Sequence, residues 1–303
     1  MYLLPSQAVV TTPTENFVTQ PQNDTVVTRT RSEKLLLLLS RNAALATFLT
    51  KLQANTWRLY PLASRRLAND DVFFLNFGYE EDPPMDLPLA SSDEPNRHPI
   101  QLYHRTATQV DLTGKQVLEV SCGHGGGASY LSRTQQPASY TGLDINPTGI
   151  QFCRTRHNVP GLDFVQGNAE SLPFAAQSFD VVINIEAGIH YLDFAGFLTE
   201  VARVLRPGGH FLYADLRDAE AVPAWEATLA NAPLRLVSKR IINDEVVRGI
   251  HENPIWDQVP RLAPNIAFVR NIASGLTRKA GSWISRRFEN GESSYQLFCF
   301  VKD

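Results

Sequence analysis

The run EVSCGHGGGA, Glu119 to Ala128, places an acid and closely spaced glycines where an apolar segment, Gln116 to Val120, gives way to a helical one. Gly123 and Gly125 let the backbone turn sharply and leave no Cβ in a ligand's way, while the first amides of the following helix point outward. Binding of a polar or charged ligand is the chemistry this spacing supports. The pattern Gly123-x-Gly125-x-x-Ala128, with Asp144 about 20 residues on as a ribose acid, also fits the dinucleotide fingerprint. The loop by itself therefore leaves the ligand open.

The elements that must position these groups narrow the choice. SYTGLDINP reads as a second strand ending at Asp144, whose carboxylate would sit at the carboxyl edge of a parallel sheet and accept both ribose hydroxyls. DFVQGNAESLPF reads as a third strand closing in a polar turn at Asn168 and Ala169, with the apolar Leu172-Pro173-Phe174 behind it, the outline of an adenine site. SFDVVINIEA is a buried strand running into Glu186; Ala195 to Leu205 has helical spacing, and an RPGG turn at Arg206 to Gly209 precedes the strand HFLYADL. This succession, over roughly 100 residues, resembles the class I S-adenosylmethionine (SAM)-dependent methyltransferases. The resemblance implies an α/β fold: a Rossmann-like, mostly parallel sheet with an antiparallel terminal strand beside the fifth, and SAM as cofactor. It adds Ser121, Ile145 and Asn146 to the cofactor-binding residues.

Bulk properties are those of a soluble globular chain. The 303 residues suffice for one α/β domain with an extension, and 43% hydrophobic against 19% charged residues is ordinary. A net charge of -3 gives no reason to expect a nucleic-acid partner. The three cysteines, Cys122, Cys153 and Cys299, lack CxxC spacing, which argues for a reducing compartment and against a disulfide framework or a metal site. Cys122 is expected to pack beneath the glycine loop. No secretory signal is visible at Met1 to Gln20, and the run Leu35 to Leu39 is far shorter than the ~18 apolar residues of a spanning helix. A cytoplasmic protein is expected.

Residues 1–30, rich in Thr, Gln, Asn and Pro, read as a disordered tail. Residues 31–100 read as a helical lid followed by an acidic linker, and 101–303 as the methyltransferase domain. Arg29 to Arg66 holds eight Lys or Arg against the single acid Glu33, interleaved with leucines, Phe48, Trp57 and Tyr60. This basic amphipathic stretch is either a cap on the catalytic domain or a surface for transient, peripheral contact with an anionic membrane or a lipid substrate. Asp70 to Glu94 inverts the sign, with eight acids and no Lys or Arg. QLYHRTATQV, from Gln101, is expected to be the helix before the first strand. Val222 to Ala230 and Asp244 to His251 look helical, PLRLVSKRII and SSYQLFCFVKD look like strands, and no internal repeat is present. Homo-oligomerisation is left open by the sequence.

Six motifs carry the likeness further: FLNFGYEEDPPMDLPL, SDEPNR, QLYHRTATQVDL, QVLEVSCGHGGGASYL, ASYTGLDINPTGI and GESSYQLFCFVKD. They resemble the mycobacterial phthiotriol/phenolphthiotriol dimycocerosates methyltransferases and relatives that O-methylate lipid hydroxyls, over nearly everything from Asp71 to Asp303. The resemblance implies methyl transfer from SAM to a hydroxyl of a large lipid or polyketide acceptor, without a metal. A C-methyltransferase of sterol or polyketide type and a SAM-binding regulatory protein without activity are the alternatives. Two positions differ from the family. Its Gly-Asp-Ala-Glu turn is Gly167-Asn168-Ala169-Glu170 here, and its Glu-Ala-Ser-His after the fourth strand is Glu186-Ala187-Gly188-Ile189, with the histidine one place later at His190.

An aliphatic hydroxyl is a poor nucleophile until its proton leaves, so a base at the pocket mouth is expected beside positioning of the acceptor. His190 is the first candidate, because it follows the strand carrying Glu186; a loop histidine held by hydrogen bonds is the plainer reading. His104 is the second, although it could equally pack or cap its helix. Glu186 could orient the SAM ammonium or the base. Glu119 more readily bonds loop amides or the methionine end of SAM, and Tyr79 and Tyr103 either cover the cofactor or join the core. His124 is expected to face outward from the loop.

Overall fold

The computed structural model describes residues 72–253 and 284–303. The tail at 1–30, the lid portion 31–71 with the basic stretch Arg29 to Arg66, and residues 254–283 lie outside the described residues.

Among the described residues, seven strands form one sheet. Alternating or continuous apolar content marks the half-buried and buried strands, whereas the edge strand after the fifth, residues 235–241, is exposed along its length. The strands are β1 (Gln116–Val120), β2 (Ser139–Asp144), β3 (Leu162–Gln166), β4 (Phe179–Ile185), β5 (Leu205–Asp218), β6 (Arg235–Ile241) and β7 (Ser293–Val301). The order across the sheet is β3-β2-β1-β4-β5-β7-β6. Only β7 runs antiparallel to its neighbours, inserted beside β5 as expected. The helices are α1 (Arg97–Ala107), α2 (Gly126–Thr134), α3 (Pro147–Arg156), α4 (Phe194–Val204), α5 (Val222–Ala230) and α6 (Asn243–Glu252). α1 starts at Arg97, ahead of the expected Gln101, because Pro95 in a short 3-10 turn at Glu94–Asn96 already directs the chain into the helix.

The period-2 pattern of the strands sorts side chains to two faces. Val117, Val181, Ile183, Leu212, Leu297 and Cys299 pack beneath one set of helices with Ile100, Leu131 and Ile250. Leu118, Val182, Phe211, Tyr213, Phe298 and Phe300 pack on the other face with Phe197, Val201 and Trp225. On that second face, the register of β5 with β7 sets Phe211 opposite Phe300 and Tyr213 opposite Phe298. The rings stack 5.8–6.0 Å apart, and Trp225 of α5 meets Phe298 edge-on at 5.4 Å.

The RPGG segment is absorbed into β5 rather than standing before it. Phe179 pairs with Leu205 and Val181 with His210, so Arg206 to Gly209 bulge out of the ladder, with Gly208 at φ +76°. α4 begins where the Asp193 side chain accepts the Gly196 N–H at 2.8 Å. Strand order reverses about β1, which has β2 on one side and β4 on the other. Parallel α/β sheets bind ligands at the carboxyl ends of strands flanking such a switch point, and these ends carry Glu119, Asp144 and Glu186.

Candidate active site

Each of the three acids is buried or part-buried, and each is held by neutral donors. Glu119, 1% exposed, accepts hydrogen bonds from Tyr103 Oη of α1 at 3.0 Å and Tyr140 Oη of β2 at 2.8 Å. Burial pushes its carboxyl up to about 7 against the opposing effect of the two phenols, and the nearby Asp144 adds to the rise. Asp144 ends β2 and accepts the backbone N–H of Gly123 at 2.9 Å and of Asn146 at 2.8 Å. Its carboxyl is also raised by burial, with those amides opposing. Glu186, just past β4 at φ +52°, accepts the Phe77 N–H at 3.0 Å and Tyr295 Oη at 3.0 Å. Burial pushes it up to about 8.

The glycine loop locks β1 to these groups. Gly123 and Gly125 take φ of +58° and +74°, conformations that side-chain-bearing residues rarely adopt, and so let the chain fold back onto Asp144. Ser121, also left-handed at φ +61°, shares a 2.7 Å hydrogen bond with Tyr191 Oη. Asn184 Nδ2 donates to Val120 O and to Tyr191 Oη, both at 2.8 Å. A second tie holds the segment after β4: Asp215, fully buried, accepts the Ile189 N–H at 3.0 Å and Tyr213 Oη at 2.8 Å. Gly188 makes this approach possible, since a Cβ there would stand 2.5 Å from Tyr213 Oη and 3.0 Å from Asp215 Oδ2.

The remaining sequence candidates divide. Asn146 caps α3 by accepting the Thr148 N–H at 3.1 Å, while its Nδ2 is buried without a partner. Ile145 is 57% exposed beside it. Asn168 is exposed and its Oδ1 accepts the Glu170 N–H at 3.0 Å; Ala169 is buried. His190 ends a short 3-10 turn, Gly188–His190, and is exposed. His104 stands apart on α1, where Nδ1 shares a 2.9 Å hydrogen bond with Tyr130 Oη of α2. Tyr79 is fully buried and joins the core, its hydroxyl donating to Glu81 Oε1. Burial pushes that hydroxyl up to about 12. His124 corrects the expectation of an outward-facing residue. It is 1% exposed, donates from Nδ1 to Val72 O at 2.7 Å and packs on Phe152, because the chain before α1 passes over the loop.

The donor set fits SAM. Asp144 and Asn146 adjoin at the end of β2, where a carboxylate and the amide Nδ2, without a partner among the described residues, could meet ribose hydroxyls, and two further carboxylates suit a ligand carrying positive charge.

Comparison with known proteins agrees. Residues 118–213 match the model of the family described as a methyltransferase domain. The chain is 58% identical to the phthiotriol/phenolphthiotriol dimycocerosates methyltransferase of Mycobacterium tuberculosis strain H37Rv over 269 residues, 88% of this chain and 97% of that one. This chain belongs to that methyltransferase family. A second member, the fatty-acid O-methyltransferase of Mycolicibacterium smegmatis, is 55% identical over 80% of this chain and 88% of its own. The crystal structure of a putative sarcosine dimethylglycine methyltransferase from Galdieria sulphuraria superposes with a TM-score of 0.65 over 81% of this chain and 98% of the other at 15% identity, which shows the shared fold.

The chain is thus a SAM-dependent methyltransferase with a class I fold. Among the described residues no helix is long and apolar enough to cross a membrane. Several residues of this methyltransferase's candidate site escaped the sequence reading: Tyr140, Asn184, Tyr191, Asp215, Tyr295 and the Phe77 amide. Tyr191 directly follows His190 and Asn184 interrupts an apolar strand, signals that could have found both. Tyr295 and Phe77 each lie 109 positions from Glu186, and no local pattern reports that meeting.

Proposed function

We propose that this methyltransferase transfers the methyl group of SAM to a hydroxyl of a large, apolar lipid or polyketide acceptor. The observation that carries the reading is identity of 58% across 97% of a relative named for a dimycocerosate lipid, with a fatty-acid O-methyltransferase at 55%. SAM supplies a methyl group already activated by its positively charged sulfur. The protein's part is to hold the acceptor oxygen in line, exclude water and take the hydroxyl proton. Asp144 and Asn146 would bind the ribose, Asn168 and Ala169 the adenine, and Glu119 the methionine end. His190 would act as base. Support comes from its exposure at the carboxyl edge of β4 and from the ties of its neighbours, Ile189 to Asp215 and Tyr191 to Ser121. An imidazole nitrogen reachable by the acceptor hydroxyl can take its proton.

The apolar character of the acceptor fits the exposed Ile189 and Leu192 beside His190, the latter 88% exposed. The basic stretch Arg29 to Arg66 supports transient contact with anionic lipid surfaces, which would bring a water-insoluble acceptor to a cytoplasmic enzyme. Incubation with methyl-labelled SAM and fractionated lipid extract tests the reading. Label should enter a long-chain fraction as an O-methyl group; a C-methyl product, or label confined to small polar alcohols, would refute it.

A further inference from the structure

We infer that this sheet edge selects its cofactor by charge: the sulfonium form displaces a proton from the Glu186 and Glu119 carboxyls into bulk solvent, so it is held more tightly than the thioether product, increasingly so as pH rises. The inference rests on SAM being the cofactor. Its basis is geometric. Glu119, Asp144 and Glu186 converge on the ends of three adjacent strands, β1, β2 and β4, and none forms an ion pair among the described residues. Glu186 receives only a backbone N–H and a phenol, and Glu119 only two phenols.

Among the described residues, the titratable groups facing them are acids, phenols and one thiol. Glu186 faces Tyr295 of β7, Asp215 of β5 and, within electrostatic reach, Tyr103 of α1. Glu119 faces Tyr103, Tyr140, Asp144 and the Cys122 thiol. Arg217, the nearby cation, is turned to Asp215 at 3.1 Å and stacked on Trp225 at 4.6 Å and Phe194 at 5.4 Å. A carboxyl taken out of water without a cation keeps its proton, and an arriving positive charge lowers that cost and lets the proton go. Burial has raised Glu186 to about 8 and Glu119 to about 7. Below those values the ionised form that a cation prefers becomes scarce, so affinity for the cation falls as pH falls, by up to about tenfold per pH unit for each proton displaced. Above them it is level. The α-amino group is common to SAM and S-adenosylhomocysteine, so the ratio of their affinities isolates the charge on sulfur.

Isothermal titration of the full-length protein with each ligand between about pH 6 and pH 8.5 is the test. The SAM-to-S-adenosylhomocysteine affinity ratio should rise about tenfold or more across this range. SAM binding near neutral pH should release protons, seen as a heat that depends on the buffer. Glu186→Gln should flatten the ratio, and Glu119→Gln reads the same effect should the first variant not fold. A ratio that stays constant with pH in the native protein, or a full rise retained in both variants, overturns the inference while leaving the cofactor assignment intact. Failure to bind either ligand at any pH would overturn both and is distinguishable from the first result.

Discussion

Asp144 is the residue whose removal should be felt first. Its oxygens hold the Gly123 and Asn146 amides and would also accept the ribose hydroxyls. Asp144→Ala should weaken SAM binding by about 1.5–3 kcal/mol for each charged hydrogen bond lost, measured by calorimetry. At the chemical end of the site, His190→Ala should lower turnover by about 10²- to 10⁴-fold with SAM affinity nearly unchanged, the effect of losing a general base. His104→Ala is the matching control. Its imidazole is engaged by Tyr130, and its basicity is lowered chiefly by burial and then by Arg105, so its loss should leave turnover close to native. Single-turnover kinetics on both variants decides the point, since collapse in His104→Ala alone would reassign the base.

Elements act here through the segment between β4 and α4. The chain from Ala187 to Tyr191 is tied to β5 through Asp215, to the end of β1 through Ser121 and to β4 through Asn184, so three strands fix one short turn. Gly188 is the narrow point, with Phe194, Tyr213 and Asp215 crowding the space a side chain would need. Gly188→Ala forces either Asp215 or the turn to move, and overpacking of this kind costs about 1–3 kcal/mol. Turnover should drop more than SAM affinity in this variant, because the displaced turn carries His190 while Asp144 and the glycine loop stay in place. Equal losses in kcat and in cofactor binding would show that the turn and the cofactor cradle move as one body.

At the scale of the molecule, the buried acids set the pH dependence, and the proposed apolar acceptor sets the expected substrate dependence. A carboxyl whose folded value is raised favours the folded state least once the unfolded chain can ionise it. Stability from Glu186 is therefore intact below its ordinary value of 4.5 and is lost as pH rises toward about 8. Glu186→Gln should accordingly melt higher than the native protein near pH 8 in the absence of cofactor and closer to it near pH 5, which thermal scans would reveal. For the acceptor, burial of each methylene contributes about 0.8 kcal/mol, so kcat/KM should climb with chain length until the groove is filled. A homologous series of long-chain alcohols and hydroxy acids checks this, and a flat series would point to a compact acceptor instead.

Strand identity and the family were legible in the chain because each rests on local pattern: apolar runs for β1 and β4, the glycines at Gly123 and Gly125, and an acid at the end of β2; the place of β7 beside β5 followed from the family resemblance. Asn146 and Asn168 belong to the same short-range grammar. What the sequence could not show is which partners each acid meets. His124 sits in a loop that the sequence reads as facing solvent, yet the backbone at Val72, 52 positions away, closes over it. Tyr79 reads equally as a ligand cover or a core aromatic, and only the packing of α6 at Gly249 shows its full burial. Glu186 gains its character from burial, and its hydrogen-bond partners Phe77 and Tyr295 are brought from opposite ends of the described chain. Backbone propensity acts over a few residues, whereas burial and hydrogen-bond satisfaction are decided by what arrives from far along the chain. The ionisation of this site is therefore a property of the tertiary structure alone.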